Sequence, residues 1–226
     1  MNCIILARGG SKGLPNKNIK LLNGEPLLSY PIKAALKTKY IDNIYVSTDS
    51  EQIADVAFKY GAIVIERPDH LSTDKSLDIE ALRHAVSYLK SHEDLVQLRA
   101  TTPIIKSDIL EKAIDLFNNN REEYTSLRSA HEFSESVYKF FKCDGKYWNG
   151  FFPELEGEYY NLPRQAFPKS YLPNGYIDIV RPEVFMNNNT LHGNKILSFI
   201  TPYVIEIDTK EDFERLEMSI TNGNKI

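Results

Sequence analysis

The sequence predicts an α/β protein with a mostly parallel central sheet flanked by helices. Three observations carry that prediction. Short, unbroken apolar runs recur along the first half of the chain, stretches of helical periodicity separate them, and glycine- and charge-rich loops follow the runs. An unbroken apolar run suits a strand covered on both faces, and parallel neighbours need a crossover long enough to hold a helix.

The first run, "CIILA", gives a strand, and a polar loop follows it. "EPLLSYPIKAALKTK" has helical spacing, with Pro31 near the first turn, where a missing N–H is tolerated. "NIYVST" is the next strand. "DSEQIADVAFKYG" is a helix that starts at Asp49-Ser50 and ends at Gly61, both ordinary capping signals. "AIVIE" gives a third strand, and after "RPDHLSTDKS" the residues Ile79, Leu82, Ala85, Val86 and Leu89 mark one apolar helix face. "DLVQLR" and the helix "SDILEKAIDLFNNN" form another unit. Right-handed crossovers then order these strands side by side.

Residues 132–172 break the rhythm. They are rich in aromatics, glycine and proline, and read as an insertion with short hairpin strands within a single domain spanning 1–226. "GYIDIV" returns as a strand, "YVIEI" reads as the last one, and "KEDFERLEMSI" as the closing helix. The alternation in "YVIEID" places Glu206 and Asp208 on one face of that last strand.

Composition narrows the function. The 226 residues contain 42% hydrophobic and 26% charged side chains, ordinary values for a globular chain. A formal net charge of −4 argues against a nucleic-acid binder that works by bulk electrostatics. Cys3 and Cys143 have no metal-ligand spacing; Cys3 reads as core and Cys143 as an exposed turn. No run approaches the roughly 20 apolar residues of a membrane span, and the N-terminal run is too short for a signal core. The expectation is a soluble, cytoplasmic protein.

In an open parallel sheet, ligands bind beyond the carboxyl ends of the strands. The unusual sequences fall there: Arg8 to Asn18 after the first strand, Arg67 to Asp78 after the third, and "RATTP" after the fourth. The opening loop "ARGGSKGLPNKN" is neither the GxxxxGK[ST] phosphate loop nor GxGxxG. Gly9, Gly10 and Gly13 still let backbone N–H groups approach phosphate oxygens, and Arg8, Lys12 and Lys17 add charge-assisted bonds. Phosphate binding is the reading this supports, with a solvated basic turn as the alternative.

"ILARGGSKGLPNKNIKLLNGEPLL" resembles the opening signature of the cytidylyltransferases that make CMP-activated nonulosonic acids. "VSTDSEQIADVAFKYGA", "RPDHLSTDK", "PNGYIDI" and "IDTKEDFERLE" resemble the same family, in the same order. The resemblance implies a Rossmann-like nucleotidyltransferase fold. It also implies transfer of CMP from CTP to the anomeric hydroxyl of a 2-keto sugar acid, assisted by Mg²⁺. It implies that Arg8, Lys12 and Lys17 hold the triphosphate, with Ala7, Gly9, Gly10, Ser11, Asn18, Arg67 and Asp78 around the nucleotide. Arg99, Thr101, Arg164, Gln165 and Asn174 would face the sugar, and Asp208 with Glu206 would hold the metal. The aromatic insertion would be an arm that packs on a second copy in a homodimer.

Each assignment has a plainer alternative. Arg67 could be a surface ion-pair partner, Asn174 a turn residue beside Gly175, and Arg99 one half of an internal ion pair. The chain also departs from the family pattern. Arg99-Ala100-Thr101-Thr102-Pro103 stands where Gln-Pro-Thr-Ser-Pro is usual, and Glu206-Ile207-Asp208 where Asp-Ile-Asp is usual. Related readings are a CMP-Kdo synthetase, a sugar-1-phosphate nucleotidyltransferase or a catalytically silent nucleotide-binding regulator.

Overall fold

Strand β1 (Asn2–Leu6) lies near the middle of a seven-stranded sheet in the computed structural model, which describes residues 1–221. Its continuous apolar sequence fits that place, since both of its faces are covered. The loop after it leads to a small hairpin of β2 (Leu21–Leu22) and β3 (Glu25–Pro26), and then to α1 (Ser29–Leu36). Pro31 falls in the first turn of α1, where its missing donor breaks no helical bond.

Strand β4 (Asn43–Thr48) is followed by α2 (Glu51–Lys59), whose first turn is capped by Ser50 accepting from the Ile53 N–H at 3.5 Å. Strand β5 (Ile63–Glu66) then leads to α3 (Asp78–Leu89), where the Glu80 carboxylate accepts from the Leu77 N–H at 2.9 Å. Strand β6 (Leu95–Leu98) precedes α4 (Ser107–Asn120), which buries Leu110, Ala113, Ile114 and Phe117 along one face. These elements follow the sequence reading closely.

The second half departs from it. "SLRSAHE" forms β7 (Ser126–Glu132), which polar composition hid. The insertion carries a hairpin of β8 (Phe141–Asp144) and β9 (Tyr147–Gly150). Strand β10 (Tyr171–Val180) is longer than "GYIDIV" and ends in the short helix α5 (Pro182–Phe185). The last strand is β11 (Ile196–Ile200), not "YVIEI". Residues 201–208 are extended but pair with no strand; among them Ile207 N–H donates to the Thr101 carbonyl at 2.7 Å. Their apolar side chains alternate because Ile205 and Ile207 bed against Leu14, Leu22, Leu27, Phe213 and Leu216, so packing against a helix and a hairpin imitates a strand pattern. Helix α6 (Lys210–Thr221) closes the described chain.

The strand order is β11-β7-β10-β6-β1-β4-β5. Every pairing in this sheet is parallel except the two that β10 makes, with β6 and with β7. The carboxyl ends of β1, β4, β5 and β6 therefore share one edge. One apolar cluster joins the sheet to α1, α2 and α4, and a second joins its other face to α3 and α5. No helix among the described residues is long and apolar enough to cross a membrane.

Candidate active site

The opening loop is held to the sheet edge from beneath. Ala7 is buried and donates to the Ser47 carbonyl at 3.0 Å, and the Gly9 N–H donates to Asp49 at 2.9 Å. Asn18 is buried, and its side-chain amide donates to the Arg8 carbonyl at 2.9 Å. Asn18 thus shapes the loop from within. Gly10 has open space where a Cβ would stand, and Ser11 donates to the Gly9 carbonyl at 3.0 Å. A Cβ at Gly13 would overlap the Asp208 carbonyl oxygen, so only glycine lets the loop lie flat on residues 201–208.

The cations of the loop reach two separate acids. Arg8 pairs with Asp74 at 2.9 Å, and Lys12 pairs with the other oxygen of the same carboxylate. These two bonds hold the Asp74 carboxyl below the usual carboxylate range. Lys17 pairs with Asp208 at 2.9 Å. Asp74 and Asp49 are absent from the candidates that sequence reasoning assembled. Asp74 lies within the Arg67–Asp78 loop, whose interior residues the sequence reading did not single out.

Glu206 and Asp208 stand near each other on the extended segment. Burial, and then the charge of Asp208, push the Glu206 carboxyl up, while Arg99, Lys17 and the Thr101 hydroxyl offset part of that. Thr101 is fixed by its carbonyl, which accepts from Ile207. Of the two carboxylates, Asp208 accepts from Lys17 of the opposite loop, 191 positions away in the chain.

Arg67 is not a surface residue. It is 5% exposed, and its guanidinium donates from Nε to the Ser47 hydroxyl at 3.0 Å and from Nη2 to the Ser47 carbonyl. Burial pulls its pKa down against the charges of Asp49 and Asp78. Arg99 donates to the buried Asp178 at 2.8 Å and comes within 3.5 Å of Asp78. Burial disfavours the Arg99 charge, but Asp178, with Asp78 and Glu206 behind it, more than compensates. The internal ion pair weighed from the sequence is therefore present. Asp78 also accepts from Gln97 at 3.3 Å.

The Asn174 side chain is turned inward. It is 2% exposed, accepts from the Ser129 hydroxyl at 2.8 Å and donates to the Thr201 hydroxyl at 2.7 Å. Its main chain leads into Gly175, at φ +61°, where a Cβ would meet Arg99, Glu206 and Thr102. Asn174 ties β7, β10 and the start of the extended segment together, and Gly175 forms the wall beside Arg99 and Glu206. Arg164 and Gln165 sit in an exposed turn of the insertion, and Arg164 reaches Glu132 at 3.5 Å instead of a rim residue.

A cavity of about 570 Å³ opens elsewhere, lined by Ile104, Ile109, Tyr176, Tyr203 and Leu216 among others. It contains none of the candidate residues. The chemistry-bearing groups lie outside it, at the strand ends.

With that geometry in place, similarity to known proteins is informative. Residues 2–143 match a family described as cytidylyltransferase. The chain is 34% identical to an N-acylneuraminate cytidylyltransferase of Escherichia coli O18:K1:H7, over 93% of this chain and 50% of that protein. It is 32% identical to a pseudaminic acid cytidylyltransferase of Campylobacter jejuni, over 94% of this chain and 92% of that one. The chain spans about half the length of the N-acylneuraminate cytidylyltransferases it matches. A solved CMP:2-keto-3-deoxy-manno-octonic acid synthetase complexed with CTP superimposes with a TM-score of 0.74 at 16% identity, covering 98% of each chain. That likeness supports the fold.

Proposed function

Because the chain belongs to the cytidylyltransferase family, we propose that it transfers CMP from CTP to the anomeric hydroxyl of a sialic-acid-like 2-keto sugar acid, releasing pyrophosphate. The observation that carries this reading is the Lys17–Asp208 contact, which brings the basic loop against an acid pair at the sheet edge. A triphosphate laid along the loop would meet the N–H groups of residues 9–13 and the charges of Arg8, Lys12 and Lys17.

In the reaction, the anomeric oxygen bonds to the α-phosphorus with loss of its proton, as the bond to the β-phosphate oxygen breaks in line. Arg8, Lys12 and Lys17 neutralise the charge that builds on the departing pyrophosphate. Asp74 would yield Arg8 and Lys12 to the phosphates, since its carboxylate occupies the donors they need. The buried Arg67 supports the floor of the nucleotide site through Ser47, and Asp78, Asn18 and Ala7 hold the surrounding backbone and side chains.

Glu206 and Asp208 would hold Mg²⁺. Asp208 is near enough for its charge to raise the Glu206 carboxyl, so the two form a pair, and among the described residues no group of three metal-capable side chains occurs. A pair fits this ion, which takes its remaining oxygens from phosphates and water. Asp208 is 69% exposed and already faces a cationic group, while Glu206 resists ionisation beside it. Held there, the ion would supply charge neutralisation and orientation for the triphosphate.

We further propose that residues 1–226 act as one domain in the cytoplasm, where CTP is, and pair as a homodimer through the 132–172 arm. Support for the arm comes from Tyr147 and Trp148, 75% and 71% exposed on the β8–β9 hairpin. The test is pyrophosphate release from CTP with a panel of nonulosonic acids, Kdo and sugar 1-phosphates, with Mg²⁺ or EDTA. Release with a nonulosonic acid and Mg²⁺ is expected, and Asp208→Asn should remove most of it. Release with Kdo or a sugar 1-phosphate alone, or full activity in EDTA, overturns the reading.

A further inference from the structure

One cross-strand row of the sheet changes character halfway along. Tyr45, Ile4, Gln97, Asp178, Arg128 and Ser198 stand opposite one another in successive registers, so they share one face. Ile4 and Tyr45 belong to the apolar cluster on that face, which α3 and α5 complete. From Gln97 onward the row is polar. Gln97 is 0% exposed and Asp178 is 1% exposed, so two polar side chains occupy fully interior positions.

Asp178 is bracketed by two guanidinium groups. Arg99 donates to one carboxylate oxygen at 2.8 Å, and Arg128 Nε stands 3.5 Å from the other. Asp178 Oδ1, Arg128 Nε, Gln97 Oε1 and His192 Nδ1 are all buried and lack hydrogen-bond partners. A buried carboxylate between arginines stabilises a fold poorly compared with apolar side chains of the same volume. Orphaned polar atoms gathered at one place call for a use beyond packing.

We infer that Asp178 positions Arg99 and Arg128 as a fork for the carboxylate of the acceptor, with Arg128 in direct contact. This deepens the proposed function and rests on it. A guanidinium presents paired N–H donors that match a carboxylate, and a buried anion behind it fixes its orientation while other donors stay free. The side chains of Arg99 and Arg128 are 18% and 36% exposed, so each keeps part of its surface open. Asp78, 53% exposed and 3.5 Å from Arg99, is the partner an incoming carboxylate would displace.

Position supports the same ligand group. A Cβ placed at Gly175 would lie 3.1 Å from Arg99 Cδ and 3.3 Å from Glu206 Oε1, so the Arg99 arm of the fork adjoins Glu206 of the acid pair. A 2-keto sugar acid carries its carboxylate on the carbon that bears the attacking hydroxyl. Holding that carboxylate beside the acid pair would aim the hydroxyl at the α-phosphorus.

The test compares wild type, Arg128→Gln, Arg128→Lys and Asp178→Asn by pyrophosphate release, using a sugar acid that wild type accepts and its carboxamide analogue. Melting curves establish that each variant is folded. Arg128→Gln should raise the acceptor KM by roughly ten- to a hundred-fold while the KM for CTP is unchanged. It should also lose most of the wild-type preference for carboxylate over carboxamide, and Arg128→Lys should recover part of it. Asp178→Asn should raise the acceptor KM without changing that for CTP. An Arg128→Gln enzyme with wild-type acceptor KM and wild-type preference overturns the fork alone. A wild type that uses no sugar acid overturns the fork and the proposed function together.

Discussion

Arg8 and Lys12 share one carboxylate, Asp74, although they leave the backbone of a glycine-rich loop four positions apart. Both belong to the exposed or half-exposed surface, so their removal should leave the fold intact. Arg8→Ala or Lys12→Ala should therefore act on CTP. Loss of one charge-assisted phosphate contact costs about 1.5–3 kcal/mol, a rise in the KM for CTP that steady-state kinetics would detect. Unchanged kinetics in a folded variant would remove the loop from the site. Glu206 makes a second prediction at this scale. Its carboxyl is pushed up by burial and by Asp208, so the folded protein holds that proton more tightly than the unfolded chain does. Folding then binds a proton between the ordinary and the raised pKa, and stability falls as pH rises through that window. Glu206→Gln should melt higher than wild type at neutral pH, with the gap closing as pH falls below the ordinary glutamate range. It should also move the acidic limb of the pH–rate profile downward. A melting difference independent of pH would refute this assignment of the strain.

At the scale of elements, the extended segment 201–208 is where local pattern and fold diverge. Alternation alone made it a strand, yet it joins no sheet, and its bond to the region of the strand ends is Ile207 N–H on the Thr101 carbonyl, just beyond β6. Its start is held by Asn174 through Thr201, and its end by Ile207 on Thr101. Asn174→Ala should leave the buried Ser129 hydroxyl without its acceptor, while Ser129 still accepts from Ile177 and Thr201 still donates to Pro202. Such a buried group costs about 1–3 kcal/mol, so urea denaturation should show a clear loss. Activity should fall through kcat for every acceptor alike, because both Gly175 and the acid pair depend on this anchor. A selective change among acceptors with full stability would instead return Asn174 to the sugar site. The first four strand–helix units were legible because apolar runs, helical faces and caps are local signals. Strand β7 was not, because Ser129 and His131 take their places in it through a partner on β10, distant in sequence.

At the scale of the whole molecule, exposed aromatic side chains gather on the inserted arm. Phe141, Tyr147, Trp148 and Phe151 are 42%, 75%, 71% and 52% exposed around the β8–β9 hairpin, a density of apolar surface typical of interface cores. Light scattering at micromolar concentration should give the mass of a dimer. Trp148→Glu combined with Tyr147→Glu should shift it to a monomer while the melting temperature of the sheet domain changes little. A wild-type monomer under those conditions would assign the arm to its own domain.

By itself the sequence determined the parallel half of the sheet, the helices α1 to α4 and the edge on which the basic loop lies. Those features follow from periodicity, capping and chain connectivity, which act over a few residues or one crossover. It also singled out Arg8, Lys12 and Lys17 for a triphosphate and Asp208 for a metal. Only the tertiary structure decided that β10 runs against its neighbours and that Asp178 lies opposite both Gln97 and Arg128. The same holds for Arg99, which faces a buried aspartate, and for Asn174, whose amide turns inward. The physical reason is the reach of the interactions. A buried polar side chain takes whichever partner the register of distant strands brings to it, and that register is set by the fold as a whole.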